Sequence, residues 1–263
     1  MDHLIAALAP GSRVLDLGAR TGSFHTDRGD LCLVRLDLSV PASHGEGAYV
    51  AGDAARMPFA AQCFDLIVSN HSLEHFPELE LAVREIGRVI RKDGVLFIAV
   101  PDANTLTDRI YRWLAHGGGH VNAFRSPNQV TRLVQDLTGM KHRGTRLLFS
   151  GLSFLNASNA THPPKRLVLF ANGNERFLAV FTWSLRTLDL LFGTRLSHYG
   201  WEFYFGNTEP VDSGEWWANV CVRCGSGHSE MFLRKQGVVR RTMRFWESYR
   251  CPKCGGWNLL TAD

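Results

Sequence analysis

Five short segments in the first hundred residues are continuously apolar or alternate with a period of two: Arg13–Leu17, Cys32–Asp37, Ala48–Gly52, Phe64–Asn70 and Val95–Pro101. Short runs of this kind, bounded by turn formers, predict strands. The sequences VLDLG, FDLIVSN and VLFIAVP offer apolar side chains on both faces, the pattern of parallel strands covered on both sides. Between the last two strands the period changes. Leu79, Ala82, Val83, Ile86, Val89 and Ile90 fall on one face of a helix predicted over Glu78–Lys92, which Asp93-Gly94 is expected to stop. Strands alternating with helices or short connections predict an α/β fold on a mostly parallel, Rossmann-like sheet.

Farther along, the pattern predicts helices over Thr105–Ala115 and from Pro127 to about Thr138, the second with Ser126 as its N-cap. Gly144–Leu155 reads as a strand, Asn156–Pro164 as a loop, and Tyr199–Gly206 and Val238–Arg250 as further strands. Glu175–Leu191 is helical in spacing, with Phe177, Val180, Phe181, Ser184, Leu188 and Leu191 on one face that is expected to be core. With Trp183, Leu190 and Phe192 it carries more apolar side chains than one face needs. A lid over an apolar acceptor, an interfacial helix or a dimer surface therefore stay open as roles. The expected division is one domain over 1–206, with an insertion at about 156–198, and a small module over 207–263.

Of the 263 residues, 45% are hydrophobic and 21% charged, which excludes a disordered, collagen-like or coiled-coil chain. The formal net charge of +4 is too small to mark a dedicated nucleic-acid binder. No window approaches about 18 uninterrupted apolar residues, so no membrane span is expected. The opening MDHLIAALAPGS lacks the basic region of a signal peptide, and a cytoplasmic protein is expected.

The cysteines add a second chemistry. Cys221, Cys224, Cys251 and Cys254 form two Cys-x-x-Cys pairs, CVRC and CPKC, each followed by glycine. Four soft thiolates suffice for a closed tetrahedral site, so the segment resembles a zinc ribbon with a structural Zn2+. His228 is a weaker substitute ligand because of its offset. Residues 207–263 hold eight basic and six acidic side chains, and Arg240, Arg241 and Arg244 cluster beside Phe245 and Trp246. That leaves RNA as a weakly supported partner.

The segment VLDLGARTGSF ends a buried strand in Asp16, then places Gly18 and Gly22 where the backbone must turn sharply or approach a ligand. A helix is expected to start after it. Asp37 closes the second strand, where an acid can accept hydrogen bonds from both ribose hydroxyls. Asp53 closes the third, where it can accept from the exocyclic amine of adenine, and Asn70 and His71 follow the fourth. VLDLGARTGSF, LDLS, GDAARMPF, FDLIVSNHSLEH and RKDGVLFIAVP, in that order over about residues 10–155, resemble the class I S-adenosylmethionine-dependent methyltransferases. The similarity is to their type 11 group, which is akin to the quinone-biosynthesis enzymes.

That resemblance implies a seven-stranded sheet, with YGWEFYFG as the final antiparallel strand and its alternate aromatics packed inward. It implies S-adenosylmethionine as cofactor. Asp16, Gly18 and Gly22, with Ala19 and Arg20, would surround its methionine part. Asp37 would hold the ribose, with Leu38 next to it also on the cofactor, Asp53 and Ala54 would flank the adenine, and Asn70 and His71 would close the pocket. Two departures stand out. Arg20 occupies a position where the family commonly has glycine. The connections after Asp16 and Asp37 are also short, so the first crossing helix should lose about a turn and the second should be nearly absent.

Methyl transfer needs chiefly proximity and alignment, and a base only where the acceptor keeps its proton until attack. His120 in HGGGHVNAF is the leading base candidate, with His71 and His75 weaker and His116 and His198 lesser. The plainer reading of His120 is a loop imidazole bonded to backbone. The expected acceptor is a small molecule, a lipid-like compound or a glycan precursor. Two rivals stay open: an RNA presented by the ribbon, and a scaffold without turnover. SNHS stands where an amino-methylating enzyme acting on a base would carry an N-P-P-Y-like tetrad.

Overall fold

The computed structural model describes all residues except 43–44, 115–118, 160–172, 212–217, 244–245 and 262–263. Its packing divides the chain into two compact units. The first comprises residues 1–101, 119–146 and 201–212, the second 102–118, 147–200 and 213–263. The candidates His116, Arg244 and Phe245 lie outside the described residues.

The first unit is built on strands β1 (Arg13–Leu17), β2 (Cys32–Asp37), β3 (Ala48–Ala51), β4 (Phe64–Asn70) and β5 (Ile90–Pro101). With β6 (His142–Phe149) and β7 (His198–Gly206) they form a seven-stranded sheet of order β3-β2-β1-β4-β5-β7-β6. The pairs β1–β2, β2–β3, β1–β4 and β4–β5 are all parallel. Leu15, Leu66, Ile67, Val68, Leu96 and Ile98 are inaccessible to solvent, as their doubly apolar runs require. In β7, Trp201, Phe203, Tyr204 and Phe205 are all buried, so the expected alternation fails. The strand lies inside the sheet, between β5 and β6, rather than at its edge.

Helix α1 (Asp2–Ala6) precedes the sheet, and α2 (Leu79–Val89) buries Ala82, Val83, Ile86 and Val89. α2 ends three residues before the expected stop, because Ile90 is extended and pairs with Phe64. Gly87 of α2 meets Thr138 of α4 (Pro127–Thr138), where an added Cβ would lie 3.1 Å from its side chain. Ser126 and Gln129 form the capping box of α4.

No helix forms between β1 and β2, so the expected shortened crossing helix is absent altogether. The connection is held by side chains instead. Arg28 donates to Ala6 O (3.1 Å) and Leu8 O (3.0 Å) and pairs with Asp30. Arg35, in the middle of β2, is fully buried. Its Nη1 donates to Asp16 Oδ2 at 2.7 Å, its Nη2 to Phe24 O at 2.9 Å and its Nε to Glu46 O at 2.8 Å.

The second unit contains α3 (Leu106–Leu114), α5 (Glu175–Phe192), α6 (Glu230–Lys235) and a three-stranded sheet of order β10-β9-β8. These strands are β8 (Val239–Met243), β9 (Trp246–Arg250) and β10 (Trp257–Leu259). The single strand expected over Val238–Arg250 is thus a hairpin, and α6 follows an N-cap at Ser229. Leu114, Leu152, Leu155, Leu178, Ala179 and Val222 form one core cluster.

The expected core face of α5 faces outward. Phe177, Val180, Leu188 and Leu191 are exposed and only Phe181 of their apolar face packs against the core cluster, while Leu178, Ala179, Thr182, Leu185 and Arg186 are buried. The reason is Arg186, whose guanidinium donates to Ser150 O (3.0 Å) and Val220 O (3.1 Å) and fixes the helix rotation. Among the described residues, no helix is long and apolar enough to cross a membrane.

Both side chains of the Arg35–Asp16 pair are completely buried. Arg35→Met is therefore expected to cost about 3–5 kcal/mol, since it strands a buried carboxylate. A lower urea midpoint at unchanged slope checks this, and an unchanged midpoint contradicts it.

Candidate functional site

The carboxyl ends of β1, β2, β3 and β4 carry the predicted site residues, all in the first unit. Gly18 and Gly22 have φ of +72 and +115. A Cβ on Gly18 would lie 2.5 Å from Ser72 Cβ, so the glycine loop runs directly against the turn after β4. Arg20 keeps a left-handed conformation (φ +47), at a cost of about 1–2 kcal/mol for a residue with a Cβ. Its N–H donates to Asp37 Oδ2 at 2.8 Å. Asp37 Oδ1 accepts from Leu38 N at 2.8 Å, and Leu38 itself projects outward, 78% exposed. Each Asp37 oxygen keeps a further lone pair for a ligand hydroxyl.

Asp16 is buried beneath the loop. Oδ2 accepts from Arg35 and, at 2.9 Å, from Ser23 N, while Oδ1 is buried with no hydrogen-bond partner among the described residues. Burial raises its carboxyl above the usual range, against the bonds from Ser23 and Arg35 that lower it. Asp53 caps the 3-10 turn Ala54–Arg56 through Ala55 N (2.9 Å). Ala54 and Ala19 are buried beside these acids. Asn70 Nδ2 donates to Ser23 O at 3.5 Å.

Histidines gather at the other wall. His71 is left-handed (φ +55), and its N–H donates to Ala99 O at 2.9 Å. Burial, with His120 and His75 nearby, pushes its imidazole down to about 4. His75, in the 3-10 turn Leu73–His75, is lowered chiefly by burial. Its Nδ1 lies 3.0 Å from Gly119 O, so His75 is an imidazole bonded to this loop's backbone. The rings of His75 and His120 are 4.8 Å apart. His198 belongs to the second unit and His71, His75 and His120 to the first.

The four cysteine sulfurs of the second unit lie within 4.8 Å of one another. Cys221–Cys254 and Cys224–Cys251 are 3.6 and 3.7 Å apart. Thiolates at ~2.3 Å from a tetrahedral zinc ion are separated by about 3.8 Å, so the sulfurs fit that ion. The two knuckles repeat one geometry. Gly225 N–H donates to Cys221 O and Gly255 N–H to Cys251 O, with both glycines left-handed. Arg223 N and Asn258 Nδ2 donate to Cys221 Sγ at 3.4 Å. Hydrogen bonds from Cys221 and Cys251 hold the Cys224 thiol far below its ordinary range, and burial pushes Cys254 up to about 11. His228 Nε2 stands 3.5 Å from Cys251 Sγ, outside the four-sulfur set.

Arg35, Ser23, Glu74 and Asn122 join the site without having been anticipated. An arginine flanked by Val34 and Leu36 in an apolar strand was the available signal for Arg35. Glu74 hid beside His75 in SLEH.

Residues 15–98 match the family model described as a methyltransferase domain. A malonyl-[acyl-carrier protein] O-methyltransferase of Methylococcus capsulatus is 34% identical over 193 residues, 64% of this chain and 70% of that protein. A demethylmenaquinone methyltransferase of Mycolicibacterium paratuberculosis is 32% identical over 113 residues, 40% of this chain and 49% of that protein. A solved structure from Anabaena variabilis, described as a methyltransferase of an antibiotic biosynthesis pathway, has a TM-score of 0.51 at 21% identity, over 79% of this chain and 96% of that one. It shares the fold.

Gly22 tests the loop. A Cβ there would lie 2.3 Å from Arg35 Nη1, whereas Gly11, also left-handed, has open space around it. Gly22→Ala should therefore cost about 1–3 kcal/mol more than Gly11→Ala. Equal losses in chemical denaturation would contradict the close approach.

Proposed function

The chain belongs to the S-adenosylmethionine-dependent methyltransferases, and on that footing we propose that the crevice above β1–β4 binds S-adenosylmethionine and serves methylation of a small-molecule or lipid-like acceptor. The observation that carries the reading is the set of three acids at the ends of adjacent parallel strands, one of them with a buried, unpartnered oxygen. Asp16 Oδ1 suits the ammonium of the methionine part. Gly18, Ala19, Arg20 and Gly22 leave the loop backbone bare beside it. Asp37, with two backbone bonds already fixing its rotamer, takes the ribose hydroxyls, and exposed Leu38 offers an apolar surface to the base. Asp53 and Ala54 flank the adenine, and Asn70 and His71 close the crevice.

When bound, this cofactor supplies a methyl group already activated on a sulfonium sulfur. The chain's own residues then hold and orient it, exclude water and position the acceptor. The relatives are named for a malonyl group on a carrier protein and for a demethylmenaquinone. An acceptor of that kind, a small quinone-like or acyl compound, fits this reading better than nucleic acid. The chain spans 70% of the first relative and about half of the second, so the substrate class is inferred from the matched part. The four cysteines are read as ligands of one structural zinc ion, with no coordination position left for substrate.

Titration calorimetry with S-adenosylmethionine and S-adenosylhomocysteine tests the crevice. Micromolar binding of either is expected, and no binding of either overturns the reading. Loss of a charge-assisted bond of 1.5–3 kcal/mol should weaken binding of an Asp37→Ala variant by about 10- to 100-fold. Metal analysis should find about one zinc per chain, lost in a Cys251→Ser, Cys254→Ser variant.

A further inference from the structure

The turn after β4 and the segment 119–122 are clamped together. Val121 N and Asn122 N both donate to Glu74 O, at 2.9 and 3.0 Å. Asn122 Nδ2 donates to Leu73 O at 3.0 Å and to Phe76 O at 2.7 Å. The clamp brings one ligand atom each from Glu74, His75 and His120 within 4.8 Å of one another.

Two of the three donors carry features that suit a cation. Gly119 O can only accept, so His75 Nδ1 carries its proton and Nε2 keeps a free lone pair. Metal-binding imidazoles are commonly fixed in this way by a backbone carbonyl on the far nitrogen. The Glu74 carboxylate is 2% exposed, with Oε1 3.9 Å from His71 Nδ1. Two imidazoles and one carboxylate suit a first-row transition ion and leave coordination positions open, unlike the closed four-sulfur site. Ligands at ~2.1 Å from an ion stand about 3.4 Å apart in a tetrahedral arrangement, a contraction of at most about 1.4 Å from the present separation. His75 is at the surface and can make that movement.

We propose that Glu74, His75 and His120 form a second metal site, which holds a divalent transition ion beside the glycine loop and presents it to an anionic oxygen of the methyl acceptor. The ion would keep one net positive charge after the single carboxylate. Such a centre favours an enolate, phenolate or carboxylate oxygen. The acceptor half of this inference rests on the methyltransferase reading, and the metal half does not.

The test is equilibrium dialysis of the full chain, carrying one zinc per chain and freed of further metal, against Co2+, followed by metal counting and absorption spectra. About one cobalt per chain is expected, without a thiolate-to-metal charge-transfer band. His120→Ala and His75→Asn should each weaken cobalt binding by at least about tenfold. The surface position of His75 keeps the second variant folded, which thermal melting verifies. No retained cobalt, cobalt with a thiolate band, or binding by both variants as tight as that of the unsubstituted chain would overturn the proposal. S-adenosylmethionine binding is measured separately on the same proteins. Its loss alone implicates the crevice reading, and loss of cobalt binding alone implicates the metal site.

Discussion

The guanidinium of Arg35 is where the first unit of the molecule is tied together. Its three nitrogens bond a strand carboxylate and two loop carbonyls, between the rings of Phe24 at 5.3 Å and Tyr49 at 5.9 Å. A cation taken out of water is expensive unless every donor is matched, so the three partners are fixed relative to one another. They belong to β1, to the connection after it and to the connection before β3. Neither connection contains a helix among the described residues, and crossings of parallel strands usually rely on one. One buried side chain supplies the order that helix packing supplies elsewhere.

This arrangement gives the acids of the crevice two kinds of work. Asp16 neutralises Arg35 with one oxygen and keeps the other unpartnered. Asp37 anchors the glycine loop through Arg20 N, and Asp53 caps a turn through Ala55 N. The carboxylates proposed to meet the ligand therefore also hold the scaffold. Substituting any of them changes the loop as well as the binding surface.

The strands were legible because parallel strands buried on both faces leave continuous apolar runs, and the four-cysteine set was legible from spacing alone. The elements that escaped share a cause. The face of α5 was read by hydrophobicity, but a buried arginine with carbonyl partners sets its rotation. The end of α2 was read from Asp93-Gly94, but sheet pairing captured Ile90 first. Both are tertiary overrides of a local signal. Among the site residues, the acids at the strand ends could be named in advance, since their position follows from the fold. Arg35 carried a signal, a charge between Val34 and Leu36, but its partners show only in the fold, and Glu74, beside His75 in SLEH, gave none.

The outward face of α5 has a consequence for the protein as a colloid. Leu191 and Phe192 are 70% and 71% exposed at its end, and Phe177 and Val180 continue the stripe. The formal charge of +4 is the main source of repulsion between molecules, and salt at physiological strength screens it within about 8 Å. Apolar attraction is not screened in this way. Added salt therefore tilts the balance between two such molecules toward association, and protein kept at low ionic strength stays farthest from self-attraction.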